Sequence, residues 1–307
     1  MTNSEKTKVA AKDKVARLRA EQARTERRRR VVIAASAVGT VVVLVAVLVV
    51  ARLAGGGGPA TAASGSSLSS ALSSAAVTSA VSHVPPATLS TVGAGSANNP
   101  TTAITAPALK QGGKPRMLYI GAEYCPYCAA QRWAVAQALS RFGTWTGLGQ
   151  TSSSASDVDP NTATLSFHGA TLTSRYVSFN GVETTTNQPA GTGYQPLDTP
   201  APADAALMQT YDAPPYLPSG SAGSIPFLDI GGTYVSSGAS YDPQLLAGKT
   251  QQQIADALKN PADPMAQAID GASNAITAAV CKTTNNQPAP VCAAPGVTAA
   301  ATTLGHG

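Results

Sequence analysis

Cys125 and Cys128 stand two residues apart in "LYIGAEYCPYCAAQRW", residues 118–133. Thiols at this spacing can hold a metal, form a fixed crosslink, or exchange electrons with other thiols. Zinc asks for four ligands. The other two cysteines, Cys281 and Cys292, are distant, with ten residues between them, and His83, His168 and His306 are not close in sequence to the first pair. No metal is expected on that pattern. A fixed crosslink has no need of a proline-led helix start, whereas a redox pair gains from one. The thiolate is the nucleophile, and the first N–H groups and macrodipole of a helix favour negative charge. Pro126 suits a first helical turn, where no N–H is required. Cys125 would then sit at the exposed helix start as the attacking thiol, with Cys128 a turn further in as the resolving one. Tyr124, Pro126 and Tyr127 flank the sulfurs and are candidate substrate contacts.

The elements that must position this pair are legible on either side. "RMLYIGA" (116–122) is a short apolar run rich in strand formers, bounded by Gly112-Gly113 and Pro115. "AAQRWAVAQALSRFG" (129–143) places Ala129, Trp133, Ala136 and Phe142 on one helical face, with Gly143 where a C-cap is expected. The cysteines therefore lie where a strand hands over to a helix. Downstream, "TLSFHG" (164–169) and "SRYVSFNGVE" (174–183) alternate like paired, half-buried strands. Residues 184–203 and 212–224 are polar, Pro/Gly-rich excursions, with a short helix expected over 204–211. "IPFLDIGGTYVSSG" (225–238) is a hairpin turning at Gly231-Gly232. Thr250 caps a helix over 250–260, and Asp263-Pro264 opens a longer one carrying Met265, Ile269, Ala272, Ile276 and Val280 on one face.

Charge is distributed unevenly. Residues 1–30 hold eleven Lys/Arg against four Asp/Glu, a net of +7, and the rest of the chain is net −2. The bulk thus offers no nucleic-acid surface. Arg27-Arg28-Arg29-Arg30 runs into 21 uncharged residues, Val31 to Ala51, which as a helix span about 30 Å, the thickness of a bilayer core. The expected organisation is a basic cytoplasmic tail (1–30), a transmembrane helix (31–53), a flexible linker (54–76), a folded domain (77–294) and a disordered tail (295–307). The positive-inside bias leaves the domain, with all four cysteines, outside the plasma membrane. Disulfides persist there. Across the end of the linker, Leu68, Leu72, Val77 and Val81 are spaced as on a helix, so part of it is expected to be ordered. Cys281 and Cys292 bound a turn-rich loop whose closure would stabilise the fold by about 3 kcal/mol. They read as a structural staple, with an electron relay to the first pair as the alternative.

The segment "LYIGAEYCPYCAAQRWA" resembles the active-site segment of thioredoxin-fold thiol–disulfide oxidoreductases, and the Pro-Tyr dipeptide matches that of glutaredoxins. More specifically, "GKPRMLYIGAEYCPYCAAQRWA", "LSRFGTWTGLGQTSS", "FHGATLTSRYVSFNGVE" and "SIPFLDIGG" resemble the DUF929 family of membrane-anchored actinobacterial and archaeal proteins, over about residues 77–294. The resemblance implies an α/β, thioredoxin-like fold. It also implies a cis-proline facing the dithiol, with backbone beside it that binds the substrate peptide; Ile225 and Pro226 fit that position. About 100 residues separate the dithiol from Pro226, so an insertion over roughly 150–220 is expected. No acidic residue is assigned to proton transfer, and Glu123 reads as a solvated loop residue.

These readings converge on a membrane-anchored oxidoreductase of envelope protein thiols and disulfides. It needs no dissociable cofactor, and it exchanges electrons with a membrane partner such as a quinone-linked thiol oxidase. A non-catalytic envelope module with structural disulfides and a copper chaperone are the rival readings.

Overall fold

The computed structural model describes residues 74–305. The basic tail, the apolar span, most of the linker and His306 lie outside them. Among the described residues no helix is long and apolar enough to cross a membrane. All belong to one unit, Ser66–Gly307.

Met117-Leu118-Tyr119-Ile120 builds the centre, within β3 (Lys114–Gly121). An extended chain turns alternate side chains to opposite faces. Met117 and Tyr119 accordingly enter one core, and Leu118 and Ile120 a second. A strand buried on both faces reads as a continuous apolar run. β8 (Ser178–Glu183) lies parallel to β3 along one edge, and β11 (Phe227–Ile230) antiparallel along the other. β12 (Tyr234–Ser237) returns antiparallel to β11, and β1 (Thr102–Ala103) borders β12. β2 (Lys110–Gln111) forms a small hairpin with the start of β3. The β11–β12 turn falls at Gly231 and Gly232, with φ of 66° and 68°, a region that favours glycine.

Helices cover both faces. α3 (Pro126–Ser140) and α6 (Pro264–Thr283) contribute Trp133, Leu139, Ile269 and Ile276 to the core of Met117 and Tyr119. α4 (Pro202–Tyr211) lays Leu207, Met208 and Tyr211 against the core of Leu118 and Ile120. α5 (Gln251–Ala257) begins with the expected Thr250 cap, which forms a full capping box with Gln253. α3 differs from the one-faced helix expected. It ends at an Arg141 cap, Gly143 opens β4 (Gly143–Thr146), and nearly every side of it is buried. Its many alanines let neighbours close in all round, and its polar side chains find partners there. Gln131 Oε1 accepts the Ser240 N–H (2.9 Å), and Gln137 Nε2 donates to Asp270 (2.6 Å).

Several expectations are corrected. The runs 164–169 and 174–183 do not pair with each other. β6 (Ala163–Ser166) pairs with β5 (Gly149–Ser152), β7 (Thr171–Ser174) pairs with β4, and β8 joins the central sheet. Each run pairs with a different strand, and alternation alone cannot distinguish these partners. The polar excursion after residue 184 folds into a hairpin of β9 (Thr185–Ala190) and β10 (Gly193–Pro196). Residues 295–305 of the tail expected to be disordered instead follow α7 (Ala289–Cys292) with α8 (Pro295–Ala300), and Gly305 bridges Thr102. Val297 and Leu304 enter the main core, Ala301 packs against it and Ala300 is fully buried. Residues 74–82 are helical (α1), with Val77 and Val81 buried, as their spacing suggests. Pro86–Val92 forms α2, separated from α1 at Pro85-Pro86.

Candidate active site

Cys125 is the N-cap of α3, at the carboxyl end of β3. Its Sγ accepts the Cys128 N–H at 3.3 Å, so sulfur takes the place of the usual capping oxygen. Pro126 occupies the first turn, as expected. The Ile225–Pro226 peptide is cis, and the Cys125 thiol donates to the Ile225 carbonyl oxygen at 3.7 Å. The structure thus brings Cys125, Cys128, Ile225 and Pro226 together from positions 100 residues apart. One expectation is only half met: Cys125 is 6% exposed rather than open, against 0% for Cys128. Both are free thiols.

The electrostatic asymmetry is larger than the difference in exposure. The hydrogen bond with the Cys128 side chain lowers the Cys125 pKa; burial opposes this, while the Cys128 N–H and the Arg132 charge reinforce it. Burial pushes Cys128 well above the ordinary thiol value, and the hydrogen bond to Cys125 adds to that rise. One thiol is disposed to ionise and its neighbour to stay protonated, the condition for an attacking and a resolving sulfur.

Beneath the pair lies a feature that sequence reasoning missed. Arg132 and Glu183 have fully buried side chains. Arg132 Nε and Nη2 donate to the two carboxylate oxygens at 2.8 and 2.7 Å, and Nη2 also donates to the Ala122 carbonyl at 2.6 Å. The pair ties α3 to the end of β8 and to the strand just before Cys125. The signal available was an arginine inside an alanine-rich helix, since a buried charge requires a partner. The partner itself, 51 residues away, carried none.

The inserted segments form the surroundings. Tyr124 stacks on Tyr194 of β10 with ring centroids 4.2 Å apart. Its backbone carbonyl accepts the Ser154 N–H at 2.8 Å. Tyr127 is 46% exposed beside the sulfurs. Glu123 is not a free loop carboxylate: it accepts from Ser166 Oγ at 2.6 Å and anchors the junction to the insertion. Beside Ile225 a cavity of about 550 Å³ opens between Ile120, Met208, Gly223 and Asp212. Cys281 and Cys292 are joined as a disulfide. α3 and α6 run in the same direction, with Gln137 on Asp270 and Arg141 on Asn274. At 1.5 Å per residue Cys281 lies about 35 Å beyond Cys125 along that axis. Direct exchange between the two pairs within one molecule would have to span that distance. Among the described residues no group of three or more His, Cys, Asp or Glu is placed to hold a metal.

The fold and site define a mixed α/β domain with a vicinal dithiol capping a helix opposite a cis-proline. The chain belongs to the DUF929 family, described as a domain of unknown function, whose model matches residues 102–282. That match contains Cys125, Cys128 and Pro226. No curated protein and no solved structure matches the chain.

Proposed function

We propose that this chain is a membrane-anchored, extracytoplasmic thiol–disulfide oxidoreductase with a thioredoxin-like fold, acting on protein thiols and disulfides of the cell envelope. The observation that carries the reading is the Cys125 sulfur, held between the Cys128 N–H and the Ile225 carbonyl. The order of elements supports it as well. A strand, the dithiol helix and a parallel strand are followed by an antiparallel hairpin and a covering helix. Placement outside the membrane rests on the Arg-flanked apolar span at 31–53.

In the oxidising direction a substrate thiolate attacks Sγ of Cys125 in the Cys125–Cys128 disulfide. The S–S bond breaks, and Cys128 leaves with the electron pair and takes up a proton. A second substrate thiolate then attacks the substrate sulfur of the mixed disulfide, and Cys125 departs as the thiolate. Two electrons pass from substrate to protein, and a membrane partner such as a quinone-linked thiol oxidase removes them. The reducing direction reverses each step. The backbone at Ile225, with Tyr124, Tyr127 and the adjoining cavity, forms the wall against which an extended substrate lies. No cofactor enters the scheme.

The test is a Cys128→Ser variant expressed in the native envelope. Mixed disulfides on Cys125 that dissolve with dithiothreitol are expected. Their complete absence would favour a non-catalytic module, and stoichiometric Cu(I) on the reduced wild-type dithiol would favour a copper chaperone.

A further inference from the structure

We infer that Arg132 is a positioning residue whose buried guanidinium stabilises the thiolate form of the dithiol and so makes the Cys125–Cys128 pair an oxidant of substrate thiols. The inference rests on the exchange reaction proposed above and assigns it a direction.

Arg132 lies one helical turn after Cys128, so both project from the same side of α3. Its side chain is wholly buried, and its third nitrogen, Nη1, has no hydrogen-bond partner. Glu183 takes Nε and Nη2 from one side, while Nη2 also reaches the carbonyl of Ala122, three residues before Cys125. The ion pair is neutral overall but oriented. Its cationic member sits on the dithiol helix, and its anionic member sits across the interface on β8. The Arg132 charge favours ionisation of both cysteines, whereas Glu183 opposes it at Cys128. Tyr119 of β3, whose buried hydroxyl has no partner, and Tyr124 also interact electrostatically with both cysteines, and Glu123 stands two residues before Cys125 on a Ser166 hydrogen bond.

A dithiol whose reduced form is stabilised is a stronger oxidant, because reduction of its disulfide becomes more favourable. Interactions inside a dry interface are screened far less than those at the surface, so one buried charge can move this equilibrium measurably. Substrate dithiol plus the Cys125–Cys128 disulfide then gives substrate disulfide, Cys125 thiolate and Cys128 thiol. One substrate proton goes to Cys128 and the other to solvent.

The experiment is equilibration of the extracytoplasmic domain, kept on its full chain in detergent, with glutathione buffers. It compares wild type, Arg132→Met, Glu183→Gln and the double variant, with the Cys125 alkylation rate measured against pH. Arg132→Met is expected to raise the Cys125 pKa and make the disulfide about tenfold harder to reduce, about 30 mV for a two-electron couple. Glu183→Gln, which unmasks the arginine, is expected to shift both quantities the opposite way. The double variant falls between Arg132→Met and wild type. Opposite signs from two halves of one ion pair are not produced by a merely structural bridge, whose loss would perturb both variants alike. If Arg132→Met does not fold, Glu183→Gln and the double variant decide. Shifts of the same sign, or none, overturn the inference while leaving the exchange reaction intact. A pair that never equilibrates with glutathione overturns both.

Discussion

At Cys125 a sulfur does the work of a helix-capping oxygen, and the group that caps the helix is also the one disposed to react. Its lowered pKa owes most to the Cys128 side chain. Cys128→Ala should therefore move the Cys125 alkylation profile up toward the ordinary cysteine value of about 8.5. In wild type fast alkylation is expected to persist below that value and to be lost only as pH falls through the depressed pKa, with Cys128 unreactive. A Cys125 profile unmoved by Cys128→Ala would contradict this assignment. At this scale the spacing of the cysteines and the Pro-led start were legible, because local backbone rules govern both. Ile225-Pro226 became legible only through resemblance. Arg132 and Glu183 were not, because each is ordinary alone and only the α3–β8 contact joins them.

Among the elements, the α3–α6 contact carries a titrating group that the site does not use. Burial raises the Asp270 pKa from 3.8 to about 7, with the Gln137 hydrogen bond tempering the rise. The folded state therefore holds this proton more tightly than the unfolded chain. The stability from this source is fully present below about pH 4 and is lost as pH rises toward 7. Asp270→Asn should match wild type near pH 4 and exceed it by a few kcal/mol, about 4 at most, at pH 8; urea melts at the two pH values measure this. Opening the Cys281–Cys292 crosslink with a double serine variant should cost about 3 kcal/mol and lower Tm by about 6–12 °C. The glutathione equilibrium of Cys125 and Cys128 should not move, because the staple lies at the other end of the helix pair. Hairpin, caps and long helices were legible here through Gly231-Gly232, Thr250 and Asp263. Strand partners in the insertion were not, since pairing is decided by tertiary packing rather than by alternation.

Across the whole molecule, the chain between α3 and β11 adds β8 to the central sheet and sends the β9–β10 hairpin against the dithiol junction. The β9–β10 hairpin is fixed to the active junction by the Glu123 N–H to Thr185 carbonyl bond (2.9 Å) and by the stacking of Tyr194 on Tyr124. Tyr194→Ala should slow exchange with peptide substrates by up to about tenfold, the worth of one aromatic pair, and leave exchange with glutathione unchanged. Equal effects on both substrates would mean that the hairpin acts on the thiols rather than on substrate binding. Similarly, α8 packs Val297 into the main core and Gly305 bridges Thr102, so the domain extends beyond the boundary its composition suggested. The most direct test of the central claim is intact-mass analysis of the oxidised protein mixed with a model peptide carrying two thiols. The expected result is a transient peptide adduct on Cys125, followed by free Cys125 and Cys128 and a disulfide within the peptide. No adduct, or an adduct confined to Cys128, would contradict it.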